Sequence, residues 1–115
     1  NVLVICQGPA YGDEHSYNGL RLAGAMAKRD GTDVKVFLIG DAVTCAVAGQ
    51  KLPDGYYHLD RMVTAAGRHG AEVGCCATCL DARGITDEQL VDAAHRSTLE
   101  DLVDWVLWAD KTVTF

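Results

Sequence analysis

Three of the chain's five cysteines fall within the stretch CCATCLDARGI, residues 75–85, at positions 75, 76 and 79. A thiol can ligate a metal, pair with a second thiol in redox chemistry, or carry sulfur as a persulfide, and its neighbours decide which. Cys76 and Cys79 have CxxC spacing. If a strand ends near Cys75, then Cys76 opens the short helix ATCLDA, whose end is marked by Gly84 followed by apolar Ile85. Unpaired N–H groups at a helix start favour a thiolate, which makes Cys76 the expected nucleophile. Cys79, three residues on, shares that helix face and can attack a sulfur held by Cys76 or close a disulfide with it. Cys75 then points to the opposite face of the strand, where burial accounts for it. Cys6, in an apolar run, and Cys45, in an Ala/Val segment, are expected core residues. Inert packing is the plain alternative for Cys76 and Cys79 too, because free Cys is so often buried.

A metal centre fits less well. Tetrahedral zinc needs about four ligands, a lone CxxC supplies two, and no second pair follows at zinc-finger spacing. The four histidines, at 15, 58, 69 and 95, form no HxH or HxxxH pair. No metal and no cofactor is therefore expected. Arg83 could support an anionic sulfur or its partner, or simply meet the last carbonyls of the short helix. Tyr11, with Tyr56 and Tyr57, is a candidate wall of the site, local packing being the alternative for loop aromatics. The loop Gly8–Gly12 matches neither GxGxxG nor the P-loop pattern, so phosphate binding has little support.

These residues need elements to bring them together. The apolar runs NVLVIC (1–6) and DVKVFLIG (33–40) read as strands buried on both faces, and AEVGCC (71–76) as a weaker third. Between the first two lies a helix with Leu20, Ala23 and Ala27 at helical spacing and Gly31 as its stop. Asp41 caps a short helix over DAVTCAVAG, and HLDRMVTAAGRHG carries Leu59, Met62, Val63 and Ala66 on one face. ITDEQLVDAAHRS reads as a helix begun by Thr86 or Asp87, STLE (97–100) as a capping box for the helix TLEDLVDWVLWAD, and KTVTF as a last extended piece. In that last helix Leu99, Leu102, Val103, Val106 and Leu107 form one stripe, with Trp108 nearly opposite and Trp105 on the flank, and the two Trp beside Ala109 are a candidate interface anchor.

Strands alternating with helices predict an α/β fold: one domain over 1–115, with a mostly parallel sheet of about four or five strands, helices on both faces and flavodoxin-like layering. In such folds reactive groups gather at the carboxyl ends of the strands. CCATC lies at one such end, and Cys6-Gln7-Gly8 and Ile39-Gly40-Asp41 lie at two others.

Charge and composition exclude several classes. A formal net charge of −6 argues against a nucleic-acid partner, since no basic patch is available to neutralise phosphates. With 49% hydrophobic and 23% charged residues, the chain has ordinary globular usage rather than that of a disordered or fibrous one. NVLVIC is too short, before GPAYGDE interrupts it, for a secretory or membrane segment, so no membrane association and a cytoplasmic location are expected. There an odd set of five cysteines reads as reduced thiols rather than a disulfide framework.

CCATCLDARGI, together with GPAYGDEHSYNGLRLA (8–23), the loop GQKLPDGYY and the ending LVDWVLWADKTVTF (102–115), resembles the DsrE/DsrF-like family, nearest its YchN-like branch. The resemblance covers nearly the whole chain. It implies a parallel α/β sheet and a homo-oligomer, a trimer or hexamer. It further implies a sulfur carrier or sulfurtransferase that exchanges sulfur between donor and acceptor proteins through a persulfide on one cysteine. Counted back from Arg83-Gly84, that cysteine corresponds to Cys76, while Cys79 matches a second cysteine of YchN-like sequences outside the basic relay pattern. A thiol-disulfide redox or regulatory protein using Cys76 and Cys79 is the competing expectation.

Overall fold

The computed structural model describes Asn1 to Phe115 and contains β1 (Val2–Cys6), β2 (Val34–Leu38), β3 (Glu72–Cys76), β4 (Ala94–Ser97) and β5 (Lys111–Thr114). They form one sheet in the order β4-β3-β2-β1-β5, and every neighbouring pair is parallel. The apolar run at the start of the chain thus lies inside the sheet, with Leu3, Val4 and Cys6 fully buried. Continuous apolar character is what a strand covered on both faces requires.

Helices α1 (His15–Ala27), α2 (Leu59–Arg68), α3 (Ala77–Ala82) and α4 (Leu99–Trp108) surround the sheet, with a 3-10 segment at Gly40–Ala46. The chain steps from β1 to β4 in one direction, so right-handed crossovers put the intervening helices on one face. That face holds the main core, where Leu20, Val43, Leu59, Val63 and Leu80 pack on Val4, Val36, Val73 and Cys75. The return from β4 to β5 runs the other way, and the same handedness puts α4 on the opposite face. There Leu3, Phe37 and Trp105 make a second, smaller cluster. A five-stranded sheet is roughly 19 Å wide and a helix about 10 Å across, so α4 covers about half of its face. No helix is long and apolar enough to cross a membrane.

Three sequence expectations need correction. The helix expected across 85–97 is a single 3-10 turn, Asp87–Gln89, followed by strand β4. Thr86 and Gln89 do make a reciprocal cap, but the chain after it pairs with the free edge of β3, and that ladder overrides the local helical pattern. The capping box of α4 is Thr98 with Asp101, one residue later than expected, because Ser97 belongs to β4. The apolar stripe of α4 does not face the sheet: Leu99 and Leu107 are 70% and 80% exposed, whereas Trp105 is 6% exposed. Trp105 lies edge-on to Phe37 at 5.7 Å between ring centres, over Gly74 of β3, where a side chain would come within 2.8 Å of the indole. The bare glycine makes the hollow that takes the ring, and this turns α4 so that Val103, Val106 and Leu107 point outward while Leu102 stays packed against the smaller cluster; Trp105, expected as an interface anchor, is thereby buried within the chain.

Candidate functional site

Cys76 closes β3 and is the N-cap residue of α3. Its side chain lies on the α4 face of the sheet, in the same row as Gly74, and Cys75 lies on the other face, fully buried. The Cys76 sulfur accepts the Cys79 N–H at 3.3 Å and lies 3.5 Å from Thr78 Oγ1. A six-residue helix has little macrodipole, so this single aimed N–H is what favours a thiolate there. Cys79 Sγ stands at disulfide-bonding distance from Cys76 Sγ, with Cα atoms 5.2 Å apart. It also accepts the Gly40 N–H at 3.2 Å. Gly40 has φ +61°, a left-handed conformation suited to glycine, and it turns the chain into the 3-10 segment just after β2.

The other thiols are of a different kind. Burial, assisted by the proximity of Cys45, pushes Cys6 and Cys75 up to about 12, and burial does the same to Cys45. They stay protonated and enclosed, whereas Cys76 and Cys79 border a cavity of about 390 Å³ at the carboxyl edge of the sheet. Phe37, Ile39, Leu99 and Leu102 give that cavity apolar walls, and its polar members are the hydroxyls of Thr78, Ser97 and Thr98. It has no charged side chain in its lining.

Arg83 lies just past α3 and is held by Asp41 of the 3-10 segment, its Nη2 and Nε donating to Oδ1 at 2.6 and 3.1 Å. Its Nη1 donates to the Cys79 carbonyl at 3.0 Å, so the guanidinium ties the end of α3 to the segment that carries Gly40. A neighbouring hollow contains Arg83, Asp41 and Gln7 and shares Ile39 and Leu102 with the thiol cavity. The strand ends Cys6-Gln7 and Ile39-Gly40 therefore do meet CCATC along one edge.

Tyr11 lies elsewhere. Its hydroxyl donates to Gln50 Oε1 at 2.5 Å and accepts the Leu59 N–H at 3.2 Å, and its ring stacks with Tyr57. It is not among the residues around the thiol cavity. Tyr57 stacks on Tyr17 at 4.0 Å, and Tyr56 is exposed. No group of three or more His, Cys, Asp or Glu side chains stands where it could hold a metal ion.

Sequence reasoning missed Ser97 and His95. As a helix, positions 95 and 97 diverge; as strand β4 they share the α4 face, with Ser97 the register partner of Cys76. Ser97 is fully buried at the cavity, its Oγ 3.1 Å from His95 Nδ1.

Known proteins resemble this chain in sequence and in fold. The chain is 37% identical over 115 residues to the protein YchN of Escherichia coli K12, covering 99% of this chain and 97% of that one. It is 36% identical over 113 residues to an uncharacterized protein of Methanopyrus kandleri, covering 98% and 91%. The crystal structure of the Escherichia coli YchN protein superposes with a TM-score of 0.93, covering 100% of this chain and 98% of that one. A protein of unknown function from Methanobacterium thermoautotrophicum, 16% identical, shares the fold alone, with a TM-score of 0.72. The family model for the DsrE/DsrF-like family matches residues 1–115, and with these relatives it establishes that the chain belongs to that family.

Proposed function

We propose that the chain carries sulfur on Cys76 and hands it to an acceptor thiol, with Cys79 able to discharge the load. The observation that supports this most is the placement of the Cys76 sulfur at a largely apolar cavity with an N–H aimed at it. In loading, the Cys76 thiolate attacks the outer sulfur of a donor persulfide; the new S–S bond forms as the donor's S–S bond breaks and the donor leaves as a thiolate. In transfer, an acceptor thiolate attacks that outer sulfur and Cys76 is regenerated as a thiolate. In discharge, Cys79 attacks the inner sulfur, the Cys76–Cys79 disulfide forms, hydrosulfide leaves, and an external thiol reductant resets the pair. The Gly40 N–H supports Cys79 in the thiolate form for that attack.

A second reading, a dithiol redox protein without carried sulfur, is favoured by the disulfide-distance pairing of the two cysteines. Both readings suit a reducing compartment such as the cytoplasm. The reading includes a homo-oligomer, trimeric or hexameric, in which partner subunits cover the outward stripe of α4. Treatment of the reduced protein with a persulfide donor, followed by intact mass, tests the first reading: a gain of one sulfur atom is expected. Loss of two hydrogens in the parent, with no sulfur gained by the Cys79→Ser variant that lacks the discharge route, would instead establish the dithiol reading.

A further inference from the structure

We infer that the sulfur donor for Cys76 is a low-molecular-weight persulfide with an uncharged, apolar body, an inference that rests on the reading of Cys76 as the sulfur carrier. The cavity beside Cys76 holds about 390 Å³, at the small end of the roughly 300–1,000 Å³ found for small-molecule sites. Phe37 of β2, Ile39 just after it, and Leu99 and Leu102 of α4 wall it, and both reactive cysteines border it. A protein cysteine brings only one methylene to its sulfur, so a persulfidated protein side chain leaves most of that volume unfilled. An apolar body on the donor sulfur fills it, and taking that body out of water supplies affinity in proportion to its area.

The hydroxyls of the lining are already engaged. Thr98 Oγ1 accepts the Asp101 N–H at 3.2 Å and donates to Asp101 Oδ2 at 3.0 Å. Ser97 Oγ lies 3.1 Å from His95 Nδ1, and Thr78 Oγ1 lies 3.5 Å from the Cys76 sulfur. The cations on the flanking elements are matched too. Arg83 pairs with Asp41 at 2.6 Å and Lys35 with Glu72 at 3.0 Å. Arg96, whose Nη1 also donates to the carbonyl of the lining residue Ala77, pairs with Asp81 at 2.9 Å and with Asp87 at 2.7 Å. The carboxylates of Asp41 and Asp101 are held in turn, by Arg83 and by the Thr98 N–H and hydroxyl. A donor that carried a carboxylate or an ammonium into this cavity would lose water and gain no opposite charge.

The chemistry requires nothing further from the cavity. The Cys76 thiolate attacks the outer sulfur of the donor R–S–SH, the new S–S bond forms as the donor's S–S bond breaks, and R–S⁻ leaves. The hydrogen on the outer sulfur stays with it, and no oxidant or reductant is consumed. What the cavity selects is R.

The test treats reduced Cys79→Ser protein, whose other thiols are buried, with the benzyl, 2-sulfonatoethyl and 2-(trimethylammonio)ethyl methanethiosulfonates. Each rate of Cys76 modification, read by intact mass, is divided by the rate with free 2-mercaptoethanol. The benzyl reagent should exceed both charged reagents by about tenfold or more. That preference should persist at high salt, where long-range repulsion from the net charge of −6 is screened. Thr78→Lys sets a cation at an exposed position of the lining and should raise the sulfonate rate relative to the benzyl rate by about tenfold, whereas Thr78→Val should leave that ratio as in the parent. Because the ratio compares two reagents on one protein, a change in the thiolate itself cancels. Equal normalised rates for the three reagents, or a preference for a charged one, would overturn the inference. Sulfur loading from benzyl persulfide, glutathione persulfide and a persulfidated protein is measured alongside, with benzyl persulfide expected to load fastest. Loading at an equal or higher rate from either of the others overturns the apolar donor and leaves the carrier reading standing, whereas no sulfur gained from any donor overturns the carrier reading and the inference with it.

Discussion

Cys76 and Cys79 differ in what reaches their sulfurs. The Cys79 N–H serves Cys76 at the cavity, and the Gly40 N–H serves Cys79 from the neighbouring segment. Cys76→Ser is expected to abolish sulfur loading, and Cys79→Ser to leave loading intact while prolonging the loaded form several-fold, as intact mass over time will show. Loading that persists without Cys76 and vanishes without Cys79 would reverse the two roles. The buried thiols make a different prediction. Cys6, Cys45 and Cys75 are raised from 9.0 to about 12, so above pH 9 the unfolded chain loses protons that the folded chain keeps. Stability then falls with rising pH, by up to about 1.4 kcal/mol per pH unit for each thiol. Urea midpoints measured from pH 8 to 10.5 should decline, and Cys45→Ala should flatten the decline while lowering stability at pH 8. A decline of equal steepness in that variant would show that the thiol is not its source.

At the scale of elements, most of the sheet was legible because β1, β2 and β3 are short apolar runs bounded by turn residues, and the reactive pair was legible from CxxC at a strand end. Strand β4 was not, because AHRS has neither an apolar run nor an alternating pattern, and its strand character comes from pairing with β3. Losing β4 hid the placement of Ser97 beside the end of β3 at the thiol cavity. The extent of α4 was plain but its rotation was not, since the deciding residue is Gly74, which a sequence pattern counts as nothing. A Cβ there would approach Ser97 Oγ to 2.5 Å and the Trp105 ring to 2.8 Å. Gly74→Ala is accordingly expected to cost about 1–3 kcal/mol, measured by urea unfolding, and to disturb the near-ultraviolet circular dichroism of Trp105. An unchanged midpoint and spectrum would mean that α4 does not rest on that glycine.

For the whole molecule, the open half of the α4 face is the outstanding feature. Leu99, Val103, Val106 and Leu107 lie exposed along one helix, an apolar stripe of the kind that marks an interaction surface. Leu107→Asp, aimed at the most exposed of them, should lower the sedimenting mass toward that of a single 12.3 kDa chain while leaving far-ultraviolet circular dichroism unchanged. A parent that already sediments as a monomer at micromolar concentration would refute the covered interface.

Strand order carries a further consequence, for how the chain comes to be folded. β1 is made first and holds its place between β2, which follows promptly, and β5, which pairs Val2 with Lys111. Until β5 has been synthesised, one edge of the most apolar strand offers its unpaired amides and carbonyls to any neighbour that can extend them. β5 itself is largely exposed, with Thr112 and Thr114 toward water, so it contributes few core contacts and serves mainly as the strand that closes that edge. A nascent chain stalled before β5 is thus nearly complete in its main core yet still adhesive, and the interval before β5 emerges is when the chain most needs protection from its own copies.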